Sequence, residues 1–167
     1  PSTLELYLDQ GTDANTALLT YPNGFVYMLR SALLGWPTIQ CDASQWSQTQ
    51  RAQAAREFGL FKTRLRPLIA AGDLYHVLPR PDDAHWDAVE YYDPVTGKGA
   101  VYVFRPFSAT ARMSIPLRGL DPTTTYALES AVGSIQSATM SGSGLLSQGI
   151  SVALPGENSS DLVFLSR

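Results

Sequence analysis

The apolar positions of this chain change their spacing once, near Gly72. Before it they recur every three or four residues, as on one helix face; after it they alternate, as on a strand. Residues 23–34, NGFVYMLRSALL, carry a wide stripe of Phe25, Val26, Leu29, Leu33 and Leu34. Gly35 follows where a left-handed residue commonly ends a helix. Trp36-Pro37 breaks the pattern, and residues 38–41 read as a short strand ending at Asp42. Ser47-Gln48-Thr49-Gln50 fits a capping box, in which the Ser hydroxyl and the Gln amide each satisfy an orphan backbone N–H. Ala54, Phe58, Phe61, Leu65 and Leu68 then mark one face of a helix over residues 47–71, with Arg51, Arg56, Lys62 and Arg66 largely outside it. Pro67 lies inside this run; without an N–H it is expected to kink or restart the helix.

Past Gly72 the chain reads as β to its end. Residues 74–78 are apolar almost throughout. Trp86, Ala88, Glu90 and Tyr92 alternate with Asp87, Val89 and Tyr91, and residues 93–99 make a turn into a returning strand over 100–104. Ala111, Met113, Ile115 and Leu117 alternate again. Further strands are expected over 124–128, 150–154 and 162–165, with 141–146 a loop or single helical turn. Short strands punctuated by Gly and Pro predict an antiparallel sandwich. The first twenty residues are mixed: LELYL suits a strand and DQGTDANT a polar loop. The fold class is therefore α+β, a C-terminal antiparallel β-sandwich preceded by two helices.

Composition narrows the partners. The 167 residues suffice for one ordinary domain or a small domain with an appendage. Charged residues make up 16%, below the typical value of about 25%. Net charge is −3 with no basic block, which argues against nucleic acid and anionic membrane. The low charge, with many Ser, Thr and Gly, suits a neutral polar ligand such as a sugar. Cys41 is the sole cysteine, so no intrachain disulfide forms; the compartment stays open, a lone thiol pointing to the cytoplasm. No apolar run approaches the ~18 residues of a membrane span.

Few residues are placed for chemistry. His76, His85 and Cys41 do not make a typical zinc set of three or four N/S ligands. No GxSxG elbow supports a serine nucleophile, and Gly142-Ser143-Gly144 lacks the strand, lysine and helix of a phosphate loop. Trp86, Tyr91, Tyr92 and Tyr102 are candidates for a sugar-stacking platform, but alternation divides them between faces, and core packing is their ordinary use.

Several blocks taken in order resemble one family. YMLRSALLGWPTIQCDASQW, FKTRLRPLIAAGDLYHVLPRP, LRGLDPTTTYAL and ATMSGSGLLSQGISVALP are similar to the end of α-galactosidase-like glycoside hydrolases, the melibiase group of family 36. The resemblance implies that residues 1–72 correspond to the end of a (β/α)8 barrel and 73–167 to the β-sandwich after it. In that family two aspartates on earlier barrel strands do the chemistry, and retaining hydrolysis needs them about 5 Å apart. The nucleophile's strand has no counterpart here. Asp9 and Asp13 lie where the resemblance implies the acid/base loop, or the loop after it, with a poor match there; the ordinary use of Asp13 is to cap the following helical turn. Asp42 and Trp46 follow the last barrel-like strand, on the rim where barrels bind substrate; the alternative for Trp46 is packing under the helix.

Three roles follow from the resemblance. The chain is expected to be a non-catalytic C-terminal portion of such an enzyme, with a structural or accessory role. The alternatives are a stand-alone carbohydrate- or protein-binding sandwich, or one piece of a glycosidase completed by another chain. No cofactor is implied. The expected partners are a carbohydrate, the missing barrel segment, or a second copy held through the apolar stripes of the two helices.

Overall fold

The structure is a computed structural model that describes residues 5–6, 21–35, 37–39, 42–80, 82, 84–136 and 138–167. The chain divides into two compact units, Pro1–Arg66 and Pro67–Arg167.

In the first unit β1 (Glu5–Leu6) and β2 (Thr38–Ile39) pair in parallel, Glu5 opposite Thr38 and Leu6 opposite Ile39. Parallel neighbours need a crossover, and α1 (Gly24–Ala32) supplies a helix to it. The helix stops short of the expected residue 34: the Leu33 N–H still closes onto Leu29 and Arg30, but Leu33 itself is the C-cap. A single 3₁₀ turn (Ala43–Gln45) leads to α2 (Gln48–Leu60). Both halves of the capping box are made, Gln50 N–H to Ser47 Oγ at 3.2 Å and Ser47 N–H to Gln50 Oε1 at 2.9 Å. Phe25, Met28, Leu29, Ala32, Trp46 and Ala54 form the core of this unit, with Phe58 against it.

The interruption expected at Pro67 takes the form of a π turn over Phe61–Leu65, after which α3 (Arg66–Ala71) continues. The Arg66 N–H reaches back five residues to the Phe61 carbonyl. The wider turn ends at Leu65, with Arg66 between it and Pro67, the residue that cannot donate; proline and π turns are both causes of helix interruption.

The second unit is a six-stranded sheet and a two-stranded sheet, both antiparallel. The larger runs β3 (Asp73–His76), β4 (Asp87–Asp93), β5 (Lys98–Arg105), β10 (Ser159–Ser166), β7 (Thr125–Ser130), β8 (Thr139–Ser141). The smaller pairs β6 (Arg112–Ile115) with β9 (Ile150–Ala153), extended by one bridge from Ile135 to Val152. A short helix, α4 (Gly142–Ser147), stands where a loop or a single helical turn was expected. Gly72 carries no left-handed strain. It is required by a close approach: a Cβ there would lie 2.8 Å from the Leu68 carbonyl oxygen and 3.1 Å from the Tyr92 backbone, where β3 begins its pairing with β4.

Residues from both sheets share one core: Ala88, Tyr92, Val101, Val103, Val163 and Leu165 from the large sheet with Ile115, Ile150 and Val152 from the small one. The opposite face of the large sheet, with Val89, Tyr91, Tyr102, Phe104, Leu162 and Phe164, is buried as well. Strands apolar on both faces are the mark of a sheet that is covered twice.

Candidate functional site

Of the residues singled out for catalysis, Asp9 and Asp13 lie outside the described residues. Asp42 and Trp46 are separated by the 3₁₀ turn and serve different ends. Asp42 is exposed and caps that turn: its carboxylate accepts from the Ser44 N–H at 3.0 Å and from Gln45 Nε2 at 3.3 Å. Hydrogen bonds from Ser44 hold its carboxyl below the usual range. Trp46 is 9% exposed and meets Phe25 edge-on, ring centres 5.2 Å apart. The indole, named for its rim position with packing as the alternative, lies in the core of the first unit.

The proposed aromatic platform meets the same outcome. Trp86, Tyr91, Tyr92 and Tyr102 are all buried. Tyr91, Tyr102 and Phe104 do form a row on one face, with ring centres 6.4 and 6.5 Å apart, but no part of it faces solvent to any useful extent.

Most carboxylates whose contacts are defined close local structure. Asp93 accepts from the Val95 N–H and Thr96 Oγ1 in the β4–β5 hairpin, whose Gly97 takes a left-handed φ of 68°. Asp121 accepts from Thr123 and Thr124. Asp82 pairs with exposed His85 at 2.8 Å. Asp161, fully buried, gathers the Ser130 and Ser134 hydroxyls and the Val132 and Leu162 N–H groups, fastening the loop after β7 to β10. Among the described residues no three His, Cys, Asp or Glu side chains group as metal ligands, and no helix is long and apolar enough to cross a membrane.

The sequence reading did not single out the burial of an ion pair in the first unit or of a lone carboxylate in the second. Arg30 on α1 and Glu57 on α2 form a bidentate pair, Nε to Oε2 and Nη2 to Oε1, both at 2.9 Å. Their side chains are 0% and 2% exposed. The signal was present: Arg30 follows Val26 by four, and Glu57 follows Ala54 by three, so opposite charges interrupt the apolar stripes of two consecutive helices. Glu90 is the second case. It points into the core of the second unit beside Ala88 and Tyr92, fully buried, with Oε2 accepting from the Arg118 N–H at 2.8 Å and Oε1 without a partner. Burial pushes its carboxyl up to about 8. Such a group has the pKa of a general acid, but at 0% exposure no substrate reaches it.

An open cleft of about 210 Å³ lies in the second unit. Leu128 of β7 and Met140 of β8 stand on the side of the large sheet, Ser114, Ile150 and Ser151 on that of the small one, and Ile135, Gln136, Gln148 and Gly149 come from the connecting loops.

No protein-family model matches this chain, and no curated protein matches it. Solved structures do. The galactosidase domain of the α-galactosidase-sucrose kinase AgaSK superposes with a TM-score of 0.75 at 17% identity, over 98% of this chain and 21% of that one. The family 36 α-galactosidase AgaB from Geobacillus stearothermophilus gives 0.68 at 22% identity, over 83% and 18%. An α-galactosidase from Lactobacillus brevis gives 0.67 at 15% identity, over 83% and 19%. The resemblance read from the sequence blocks thus has its counterpart in three dimensions: the chain shares the fold of a region of these α-galactosidases and spans about a fifth of their length.

Proposed function

We propose that this chain is the non-catalytic C-terminal portion of an α-galactosidase-like glycoside hydrolase, with residues 1–72 completing a (β/α)8 barrel and 73–167 forming the β-sandwich that flanks it. One observation carries the reading. Nearly the whole chain superposes on an α-galactosidase, yet only about a fifth of that enzyme is covered. The β1–α1–β2 unit suits the end of a barrel, since a two-stranded parallel sheet is rarely stable without further strands. The defined acidic contacts suit it too: they cap turns, fasten loops and pair helices rather than converge on an open site. The role of the chain is then structural, lending a folded flank to a barrel whose nucleophile lies elsewhere.

Two measurements test this. The purified 167-residue chain is expected to give no turnover of an aryl α-galactoside. Sequencing the DNA upstream of its coding segment is expected to reveal earlier barrel strands in the same frame. Turnover by the chain alone, lost on Asp9→Asn or Asp13→Asn, would overturn the non-catalytic role. A stop codon directly upstream would leave a separately made chain and favour the stand-alone module.

A further inference from the structure

We propose that β3 is an interaction edge whose partner is the β3 of a second copy of this chain, the two strands pairing antiparallel across a twofold axis at Tyr75. This goes beyond the reading above, which gives the second unit a structural role and leaves its free edge without a partner.

The backbone carries the argument. Among the described residues β3 (Asp73–His76) is an end strand of the six-stranded sheet, with β4 on one side only. The Val77 N–H donates to the Ala88 carbonyl at 3.2 Å. Val77 and Ala88 are thus a hydrogen-bonded pair, and such pairs recur at every second position of an antiparallel ladder. Tyr75 opposite Glu90 and Asp73 opposite Tyr92 therefore spend their N–H and C=O groups on β4. Leu74 and His76 turn theirs the other way, to the open edge. No other backbone hydrogen bond among the described residues takes these groups up. Both residues are exposed, Leu74 at 49%. Unspent donors and acceptors beside an exposed apolar side chain are a template for another strand.

The pleat selects the register. Free groups must meet free groups, so Leu74 and His76 can pair only with their own copies. Tyr75 packs against the shared core, while Leu74 and His76, opposite Tyr91 and Val89, lie on the other face. A twofold axis normal to the sheet keeps each face continuous. Centred on Tyr75, it sets Leu74 of each copy opposite His76 of the other, and each such pair exchanges both of its N–H···O bonds. Centred on Leu74, it would bring a single such pair together. At the axis Tyr75 meets its own copy in the non-hydrogen-bonded position, where side chains stand closest and aromatic pairs stabilise a sheet.

The ends of the strand favour this occupant over a long peptide. The Gly72 N–H is bonded to the Leu68 carbonyl of α3 at one end, and Pro79 follows at the other. A longer strand finds nothing further to bond, whereas a second β3 matches the whole edge. The far edge of the sheet lacks this fit. There the Leu128 N–H meets the Ala138 carbonyl, which leaves Thr139 as the free residue before Ser141 caps α4. Pairing of two short strands covers little surface, so the dimer should be weak.

The test is sedimentation velocity of the 167-residue chain from roughly 10 μM to 1 mM, a range that brackets weak association. Amide hydrogen exchange is read by NMR at both ends of the series. A monomer–dimer equilibrium is expected. Exchange of the Leu74 and His76 amides should slow in proportion to the dimer fraction, and that of the Tyr75 amide, already bonded to β4, should change much less. Leu74→Lys puts a charge on the edge, and His76→Pro removes a donor that the β3–β4 ladder does not use. Each should keep the circular dichroism of the folded chain and abolish the dimer. A monomer throughout the series would overturn the inference. So would a dimer that survives both substitutions, or one in which Leu74 and His76 exchange no more slowly. None of these readouts involves hydrolysis or the upstream coding sequence, so this inference and the proposed function fail separately.

Discussion

The two units bury charge in opposite ways. In the first, Arg30 and Glu57 meet side chain to side chain across two helices. In the second, Arg105, only 5% exposed, gives its guanidinium to the backbone carbonyls of Ser108 and Leu154. Glu90 there takes a backbone N–H, and Asp161 takes two serine hydroxyls and two backbone N–H groups. The difference follows from secondary structure. A helix consumes its own N–H and C=O groups along its length, so a charge between helices must be met by another side chain. Strand ends and loops leave backbone groups unspent, and these can surround a buried charge from several directions. The helical pair joins one side chain directly to another, whereas the buried charges of the sheet unit are met largely by backbone groups.

The sharpest way to break this comparison is to remove one partner of the helical pair. Glu57→Ala takes the carboxylate from a fully buried guanidinium and is expected to cost about 3–5 kcal/mol. Urea unfolding measures it, and Arg30→Met added to Glu57→Ala should recover part of the loss, because the remaining buried charge is then gone. A cost within experimental error would show that the pair does not hold α1 to α2.

Glu90 offers the next largest effect, since it alone of the carboxylates discussed has a buried oxygen without a partner. Its folded value, about 8, stands above the ordinary 4.5 of the unfolded chain. The folded state therefore holds the proton more tightly. This contribution to stability is fully present below pH 4.5 and is lost as pH rises through about 8. The change amounts to a few kcal/mol over the window, at 1.36 kcal/mol per unit. Arg118 and Tyr75 are the ionisable neighbours that act on or feel this charge. Glu90→Gln should flatten the decline between pH 5 and 9 in chemical unfolding monitored from the second unit (the range spans most of the window). An unchanged slope would mean that another group sets it.

The smallest expected effect tests whether local capping matters beside the buried pair. Ser47→Ala removes one half of the box at the start of α2 and should cost about 1 kcal/mol, by the same unfolding measurement. A loss as large as that of Glu57→Ala would place the stability of the first unit in its helix ends rather than in its buried charges.

The features legible in the sequence are those with short-range causes. The capping box at Ser47 and Gln50 spans three residues, and both hydrogen bonds are made where the pattern placed them. The alternation over residues 86–92 assigned Trp86, Ala88 and Tyr92 to one face, and all three lie in the shared core. Pro67 announced an interruption, although nothing local distinguished a kink from the π turn that forms. The candidate site was less legible. Asp42 and Trp46 were chosen for a rim position; Asp42 caps its own turn through Ser44, two residues on, while the Phe25 ring that Trp46 meets is brought to it only by the fold. The cleft was not foreseen, because its lining comes from five separate segments of the second unit and carries no motif.

By itself the sequence determined where the backbone changes period, which residues cap and turn it, and which family's blocks it resembles. Those depend on bonds and sterics within a few residues. Only the tertiary structure decided that Arg30 meets Glu57 across 27 positions, that Glu90 is buried with one oxygen unanswered, and that both faces of the large sheet are covered. Burial depends on what distant segments bring to a surface. A strand's alternation states which residues share a face, but the cost or use of a charge on that face is set by what packs against it.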